Sequence, residues 1–310
     1  MKLNEVEPGK DFEGVCRISY KDKRQKSNGE PFLVLSLEDE TGQKNAKVWD
    51  GVEELDSRFN KGDVVRVRGM VDSWQGTPQI IVREMEPASA EETEALMPRS
   101  PRPLEEMEAE WEKLVALVEN PHLRSLLDAV WEDEGLKTAF TTLPAGTMIH
   151  HPYKGGLLEH SLAVAKGAYL LWRKVYPHLH RDLLISGGLL HDIGKSREIT
   201  WVGTVAEYTD QGRLLGHVVL GNEILARLIG GIQGFPQELA MKLQHIVASH
   251  HGEPEVGAAT VPQSQEAVMI HFLDELDSKV AGFKIFIERD ENDGQWTAYH
   301  RWFNRYIYKG

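Results

Sequence analysis

Three prolines within six residues, Pro98, Pro101 and Pro103, separate two segments of different hydrophobic periodicity in this chain. Proline lacks a backbone N–H and clashes with the preceding turn, so neither a helix nor a sheet ladder continues through such a run. We therefore predict a linker over residues 88–103, a first domain over 1–87 and a second over 104–310. A length of 310 residues is enough for two domains of ordinary size.

The first segment is predicted to be all-β. Polar and apolar residues alternate in several of its stretches, and turn residues at 27–29 and 40–42 separate some of them. The five predicted strands cover residues 12–18, 32–39, 44–49, 63–71 and 78–82. Because no strong helical pattern lies between them, a small closed barrel is expected.

The second segment is predicted to be an all-α bundle. Between residues 155 and 175, apolar residues recur at spacings of three and four on two stripes, one through Leu158 and Leu162 and the other through Val164 and Leu171. A helix that is apolar on both sides belongs inside a bundle. The fold class is therefore multidomain, a β-barrel followed by a helical bundle.

Charge and composition argue against several classes of protein but do not exclude nucleic-acid binding. The formal net charge of -13 argues against a protein that coats nucleic acid through electrostatics alone, although a local basic groove or bound cations could still attract it. No run approaches the roughly 18 apolar residues of a membrane span, and the N-terminus does not resemble a secretory signal. The single cysteine, Cys16, cannot form an internal disulfide. We expect a cytoplasmic protein without membrane contact.

The strongest chemical signal is the pair His191-Asp192 within an otherwise apolar helical run. Burying such a pair without a partner is costly. His250 extends an apolar helical stripe through Leu243 and Ile246, so its ring should face the bundle interior. Other histidines and aspartates have similar settings: His160, His217, His251, Asp274 and Asp277.

A buried divalent cation would explain these residues together. Imidazole nitrogens and carboxylate oxygens from several helices can converge on one point, and a cation removes the penalty of burying them. Four histidines without such a setting are left out of the predicted site: His122, His178, His180 and His300.

This pattern resembles the HD-domain phosphohydrolases, whose signature is an early histidine, a His-Asp pair and a late aspartate. The fuller pattern resembles the YhaM family of 3′ to 5′ exoribonucleases. That resemblance spans most of the chain, including the barrel and linker. One departure is Thr147, where a lysine is expected, which puts one basic contact to substrate in doubt but no ligand. The motifs that carry the resemblance are His150-His151 and residues 156–160, 191–195, 214–217, 249–252 and 266–279.

The resemblance implies two metal ions. Residues that it assigns to the first are His160, His191, Asp192 and a late aspartate. Those assigned to the second are Asp192, His217, and His250 or His251. For the late aspartate we favour Asp274, because the step that follows it, residues 275–278, fits the superfamily pattern. Asp277 then orients a ligand or contacts substrate, or is itself the alternative ligand.

Catalytic roles are expected for Asp192 and Lys195. No side-chain nucleophile is needed, because a bound cation can activate water and stabilise negative charge at phosphorus. Lys195 supplies a further positive charge near the phosphate; its alternative is an exposed lysine at a helix end. Mixed nitrogen and oxygen ligands suit Mn, Fe, Co, Ni or Zn better than Mg, and the resemblance favours manganese.

The predicted barrel resembles an OB fold. OB folds commonly bind single strands by stacking bases on aromatic side chains in a basic groove. The candidates for stacking are Trp49 and Trp74, either of which could instead be core; Phe32 is predicted to be core. The candidate basic residues, in a predicted first long loop, are Lys21, Lys23, Arg24 and Lys26. They could instead be only a solubilising surface.

The C-terminal stretch 295–309 is dense in aromatic residues and arginine. It could stack on nucleic acid, but packing against a neighbouring domain or subunit is favoured. The second of these alternatives would make the protein a homo-oligomer, and the sequence does not decide between them.

These features predict a metal-dependent 3′ to 5′ exoribonuclease that degrades single-stranded RNA to nucleoside 5′-monophosphates. Single-stranded DNA stays open as a second substrate. One alternative is a phosphohydrolase of nucleoside triphosphates or cyclic dinucleotides, since fold does not fix substrate. Such an enzyme has no evident use for a single-strand-binding barrel. Another alternative is a non-catalytic nucleic-acid-binding protein with a structural metal, but such sites are closed by four ligands, and this chain offers more.

Overall fold

A computed structural model describes residues 1–74, 76–290 and 292–310. The chain divides into two compact units, one of residues 1–98 with 201–205, the other of residues 99–200 with 206–310. Among the described helices, none is long and apolar enough to cross a membrane.

The first unit contains a closed five-stranded barrel, as predicted. Its strands are β1 (Asp11–Gln25), β2 (Pro31–Asp39), β3 (Gly42–Val48), β4 (Val64–Trp74) and β5 (Thr77–Pro87). Their order around the barrel is β1-β2-β3-β5-β4, with β3 and β5 parallel and the other described pairs antiparallel. A register shift between Ile18 and Tyr20 lets the long β1 pair with β4 through its first half and with β2 through its second.

Two short helices in this unit depart from the prediction. Helix α1 (Val52–Arg58) lies between β3 and β4, although no helical pattern was recognised there. Helix α2 (Ala90–Ala95) lies inside the predicted linker. It forms because Ser89 accepts a hydrogen bond from the Glu92 backbone while the Glu92 side chain accepts one from Ser89, the reciprocal capping of a helix start.

The second unit is mainly helical. Its helices are α3 (Leu104–Ala116), α4 (Pro121–Glu132), α5 (Glu134–Thr142), α6 (Gly156–Lys174), α7 (Arg181–Leu190), α8 (Lys195–Glu198), α9 (Asp210–Gly230), α10 (Gln237–Ser249) and α11 (Gln265–Arg289). Between α8 and α9 the chain forms a two-stranded sheet of β6 (Ile199–Val202) and β7 (Val205–Tyr208), so the region after residue 104 is not entirely α-helical. Residues 201–205 of this sheet belong to the first unit. The stripes predicted for α6 are buried, with Leu158, Leu162 and Val164 almost inaccessible to solvent.

The pair His191-Asp192 does not lie inside a helix. Helix α7 ends at Leu190, and the next residues form tighter turns in which Ile193 N donates to Leu190 O and Lys195 N donates to Asp192 O. The predicted continuous helix through this pair is therefore wrong. The pair is buried all the same, with relative exposures of 0% for His191 and 1% for Asp192.

Candidate metal centre

The structure brings together all seven residues predicted to bind metal. Helix α6 supplies one, the turn after α7 two, α9 one, the end of α10 two and α11 one. In that order they are His160, His191, Asp192, His217, His250, His251 and Asp274. Five are buried and His217 and His251 are half-buried.

The first group of ligand atoms surrounds the Nε2 of His160. This nitrogen lies 3.1 Å from Nε2 of His191 and 3.1 Å from Oδ1 of Asp274. The His191 nitrogen is 3.9 Å from the same Asp274 oxygen. All three ligand atoms fit within 4.8 Å of one another, which is close enough for one cation to bridge them.

A second group is formed by three histidines. Nε2 of His217 lies 2.8 Å from Nε2 of His251 and 3.4 Å from Nε2 of His250. Both His250 and His251 belong to this group, so the structure does not exclude either of the two alternatives that the sequence left open.

Asp192 lies between the two groups. Its Oδ2 is 3.5 Å from His160 Nε2 and 3.6 Å from His191 Nε2. Its Oδ1 is 3.6 Å from His217 Nε2 and 3.5 Å from His250 Nε2. One carboxylate therefore faces both groups, the geometry of a ligand shared by two cations.

Four imidazoles in the cluster are oriented in the same way. Each bonds an oxygen through Nδ1 and turns Nε2 inward: His160 to Asp277, His191 to Gly188 O, His217 to Glu198 and His250 to Val247 O. A backbone carbonyl can only accept, so Nδ1 of His191 and of His250 must carry the proton. Their Nε2 atoms then present lone pairs, as in metal-binding histidines.

The protonation of the cluster also suits a cation. Burial lowers the pKa of His191 to about 4 and that of His251 to about 3, so both rings are neutral at physiological pH. Burial alone would raise the pKa of Asp192, but the positive charge of Lys195 holds it well below its usual range. Burial would lower the pKa of His160, but Asp274 and Asp277 raise it to about 9, so a cation must displace that proton.

These residues fit a divalent cation. Oδ1 of Asp192 is fully buried, and among the residues that the structure describes it has no hydrogen-bond partner. A bare carboxylate oxygen in such a place is costly unless a positive charge meets it. Neutral imidazole nitrogens and ionised carboxylates are the donors that Mn, Fe, Co, Ni and Zn accept.

Lys195 is buried rather than exposed. Only 6% of the residue is accessible, and its Nζ lies 2.6 Å from Oδ2 of Asp192. Burial tends to lower the pKa of Lys195, but Asp192 raises it above its usual value. The alternative of a solvated lysine at a helix end is therefore wrong, and a positive charge lies inside the cluster.

Asp277 does not belong to the group of His160, His191 and Asp274. It accepts from the Nδ1 side of His160 at 2.7 Å and lies 2.9 Å from Nε2 of His151. This geometry is in line with our preference for Asp274 as the ligand and gives Asp277 an orienting position.

Two supporting residues were missed by the sequence analysis. Glu198 accepts from both the backbone N and the Nδ1 of His217, each at 2.9 Å. His151 connects Asp277 to the hydroxyl of Tyr153. Glu198 follows the His-Asp turn without any motif, so no local signal identifies it. His151 stands in the double histidine that was noted but given no role.

A close backbone approach positions His217. A Cβ at Gly194 would lie 1.9 Å from the carbonyl oxygen of His217. Only glycine permits α9 to pack this closely on the turn after Asp192.

The four histidines omitted from the prediction have other settings: His122 contacts Phe235, His178 contacts Gln265, His180 caps α7 and His300 packs on Phe286.

The barrel carries an aromatic surface with lysines. The rings of Phe32 and Trp49 stack at 4.9 Å, and Nζ of Lys47 lies 5.4 Å from the Trp49 ring and 4.8 Å from the Trp74 ring. Nζ of Lys26 lies 5.2 Å from the Trp49 ring. Trp74 is 60% exposed. Phe32 is half-buried, not core as predicted, because it covers Trp49.

The predicted basic loop is largely part of a strand. Lys21, Lys23 and Arg24 lie on β1, which extends to Gln25 because it pairs with β2 along this whole stretch. Only Lys26 follows the strand. Each of the four is paired with a carboxylate: Lys21 with Asp56, Lys23 with Glu53, Arg24 with Asp22 and Lys26 with Glu30.

The C-terminal stretch packs in part against α11. Phe303 is 7% exposed, and its ring lies 4.7 Å from that of Phe283. Five other aromatic residues of the stretch stay exposed: Trp296, Tyr299, Trp302, Tyr306 and Tyr308. Whether they contact nucleic acid or another subunit stays a prediction.

Two family models match the chain. The model of the HD domain matches residues 157–279, and that of an OB-fold nucleic acid binding domain matches residues 17–88. The first range contains the six residues of the two ligand groups and also Asp192. The second range covers most of the barrel.

Curated relatives match over most of the chain. A 3′-5′ exoribonuclease YhaM of Geobacillus sp. is 35% identical over 260 residues, 82% of this chain and 78% of the relative. Proteins of the same name from Bacillus subtilis and Oceanobacillus iheyensis are each 31% identical, covering 93% and 88% of this chain and 90% and 85% of the relatives. By this similarity, together with its OB-fold and HD domains, the chain belongs to the YhaM family of 3′-5′ exoribonucleases.

Proposed function

We propose that this protein is a metal-dependent exoribonuclease that hydrolyses single-stranded RNA from the 3′ end to nucleoside 5′-monophosphates. The observation that carries the proposal is the position of Asp192 between two groups of inward-facing Nε2 atoms. Centres that hold two cations in this way perform in-line displacement at phosphorus. The 3′ polarity and the RNA substrate rest on membership of the family.

Two cations are proposed, with manganese as the first choice. His160, His191 and Asp274 would hold one, the three histidines 217, 250 and 251 would hold the other, and Asp192 would face both. When bound, the cations supply a nucleophilic water at neutral pH and stabilise the negative charge that develops at phosphorus.

Side chains around the ligand groups orient the metal-binding rings and stabilise the negative charge of the substrate. Asp277 and Glu198 fix the rings of His160 and His217 through Nδ1. Lys195 keeps a buried positive charge beside Asp192, and we assign it an electrostatic contact with the phosphoryl oxygens of the substrate. None of these side chains needs to form a covalent bond to phosphorus.

The barrel is proposed to hold the RNA strand, with residues 1–87 as the binding domain. Phe32, Trp49 and Trp74 offer ring faces for bases, and Lys47 and Lys26 offer positive charge for the backbone. Stacking tolerates any base and does not distinguish RNA from DNA. Lys23 and Arg24 can contact phosphate by exchanging their surface ion pairs, which contribute little stability. Lys21 is the weaker candidate, because its ammonium is held by Asp56 and by the backbone carbonyls of Asp56 and Phe59.

The proposal is tested with 5′-labelled single-stranded RNA and manganese. Gel electrophoresis should show a ladder that shortens from the 3′ end. Asp192→Ala should lose the ladder, and His178→Ala, which removes an exposed histidine outside the cluster, should retain it. Immediate release of labelled mononucleotide would show that degradation starts at the 5′ end, which would contradict the proposed polarity. Intact RNA with every divalent metal tried would contradict the proposal, and nucleotides and cyclic dinucleotides would then be tested as substrates.

A further inference from the structure

The double histidine between α5 and α6 is held in a strained loop. His151 has a φ of 42°, in the left-handed region that residues other than glycine rarely adopt. A Cβ at Gly156 would lie 2.1 Å from the His151 carbonyl oxygen, so the start of α6 presses directly on this loop. Such strain persists where the surrounding structure enforces it, often at functional sites.

The two histidines of this loop differ in their contacts. The rings of His150 and His151 are 6.3 Å apart and nearly perpendicular. Both ring nitrogens of His151 have hydrogen-bond partners, Tyr153 at Nδ1 and Asp277 at Nε2. The ring of His150 lies 5.3 Å from that of His160, at the edge of the metal-binding cluster.

Nε2 of His150 is buried, and among the residues that the structure describes it has no hydrogen-bond partner. Leaving such an atom unsatisfied is unfavourable, because the nitrogen has lost its contact with water and gained no other partner. In the same cluster, Oδ1 of Asp192 is also buried without a partner, and the proposed function assigns that atom to a cation. The unsatisfied nitrogen of His150 therefore points to a second external group, besides that cation, as its hydrogen-bond partner.

The geometry favours a substrate oxygen over a cation as the partner of His150. Among the residues that the structure describes, His150 belongs to no group of three or more histidines and carboxylates whose ligand atoms lie within 4.8 Å of one another. An imidazole N–H donates readily to an oxygen. Lys195, whose Nζ lies 2.6 Å from Oδ2 of Asp192, places a positive charge in the same cluster that attracts an anion to this region.

We propose that Nε2–H of His150 donates a hydrogen bond to a phosphoryl oxygen of the substrate. His150 would then be a phosphate-binding residue, distinct from the metal ligands and from the orienting His151. This inference rests on the proposed phosphohydrolase site but requires no proton transfer by His150.

The test measures phosphate binding separately from cleavage. Manganese-loaded full-length protein is titrated calorimetrically with adenosine 5′-monophosphate, and with adenosine as the control that lacks phosphate. The variants are His150→Ala and His150→Gln, whose amide N–H can replace Nε2–H. Metal content is determined by mass spectrometry and folding by circular dichroism.

We expect His150→Ala to retain the wild-type metal content and to bind the monophosphate at least about tenfold more weakly, because a hydrogen bond to a charged group contributes that much. His150→Gln should recover part of the loss, and adenosine binding should not change. If His150→Ala is misfolded, His150→Phe, which keeps a ring but has no N–H, takes its place: metal-loaded protein that binds the monophosphate at least about tenfold more weakly supports the inference, and unchanged affinity or loss of bound metal overturns it.

Unchanged monophosphate affinity in a folded His150→Ala variant, or loss of manganese from it, would overturn the inference. So would a metal-loaded wild type that binds the monophosphate no better than adenosine. A wild type that binds the monophosphate through His150 but leaves RNA intact would instead contradict the proposed exonuclease function and leave the phosphate contact standing.

Discussion

Nδ1 of His160 lies 2.7 Å from Oδ2 of Asp277, on the side of the ring opposite to the nitrogen that faces Asp274 and His191. One imidazole therefore connects two aspartates that are a single helical turn apart on α11. The two carboxylates should have separable effects on metal binding.

Removing Asp277 should weaken metal binding without abolishing it. Asp277→Ala leaves His160 without its orienting acceptor, and the loss of such a partner typically lowers metal affinity about 10- to 100-fold. Asp274→Ala removes a ligand and should lose the corresponding cation. Manganese titration of the two variants checks this, and equal losses in both would contradict the assignment.

Removing Glu198 should affect the other ligand group. Glu198→Ala frees both the backbone N and Nδ1 of His217, so the cation assigned to His217, His250 and His251 should be lost at limiting manganese. Metal stoichiometry should fall from about two to about one per chain in this two-cation model. A variant that keeps its full stoichiometry with unchanged affinity would argue that Glu198 has no role in orienting His217.

Gly194→Ala should destabilise the helical unit. The added Cβ would meet the His217 carbonyl 1.9 Å away, a backbone atom that cannot move without shifting α9. Overpacking of this kind costs about 1–3 kcal/mol in free energy of unfolding. Gly230→Ala is the matched control, because no atom lies within 4 Å of its Cβ position. Denaturant unfolding should separate the two, and equal stability would contradict the close approach.

Trp74→Ala should weaken the binding of single-stranded RNA. The exposed indole beside Lys47 offers one stacking face, and a stacked base contributes about 1–3 kcal/mol, or about 5- to 150-fold in affinity. Trp74→Phe keeps an aromatic face and should lose much less. Fluorescence anisotropy with labelled RNA in EDTA measures binding without cleavage. Equal affinity of the Ala variant and the wild type would remove Trp74 from the interface.

The barrel and the bundle could be predicted because local periodicity encodes them. Alternating residues gave the five strands, and three- and four-residue spacing gave α6. The ligand candidates were recognisable because histidines and aspartates on apolar stripes are costly unless they share a partner. The exact ends of elements were less predictable: the capping pair Ser89 and Glu92 starts a helix in the linker, and α7 stops one residue before His191.

The sequence by itself determined the strand periodicity of the first unit, the helical periodicity of the second, and which histidines and aspartates need a partner if they are buried. Only the tertiary structure decided their partners. His160 and Asp277 are 117 residues apart, and Asp192, in the turn after α7, meets His160 on α6, His217 on α9 and His250 at the end of α10. The partly buried face of Phe32, the ion pairs of Lys21 and Lys23 and the unsatisfied Nε2 of His150 likewise depend on distant neighbours. Periodicity reports which face of an element is buried, but the atom that meets each polar group is fixed only when the elements pack.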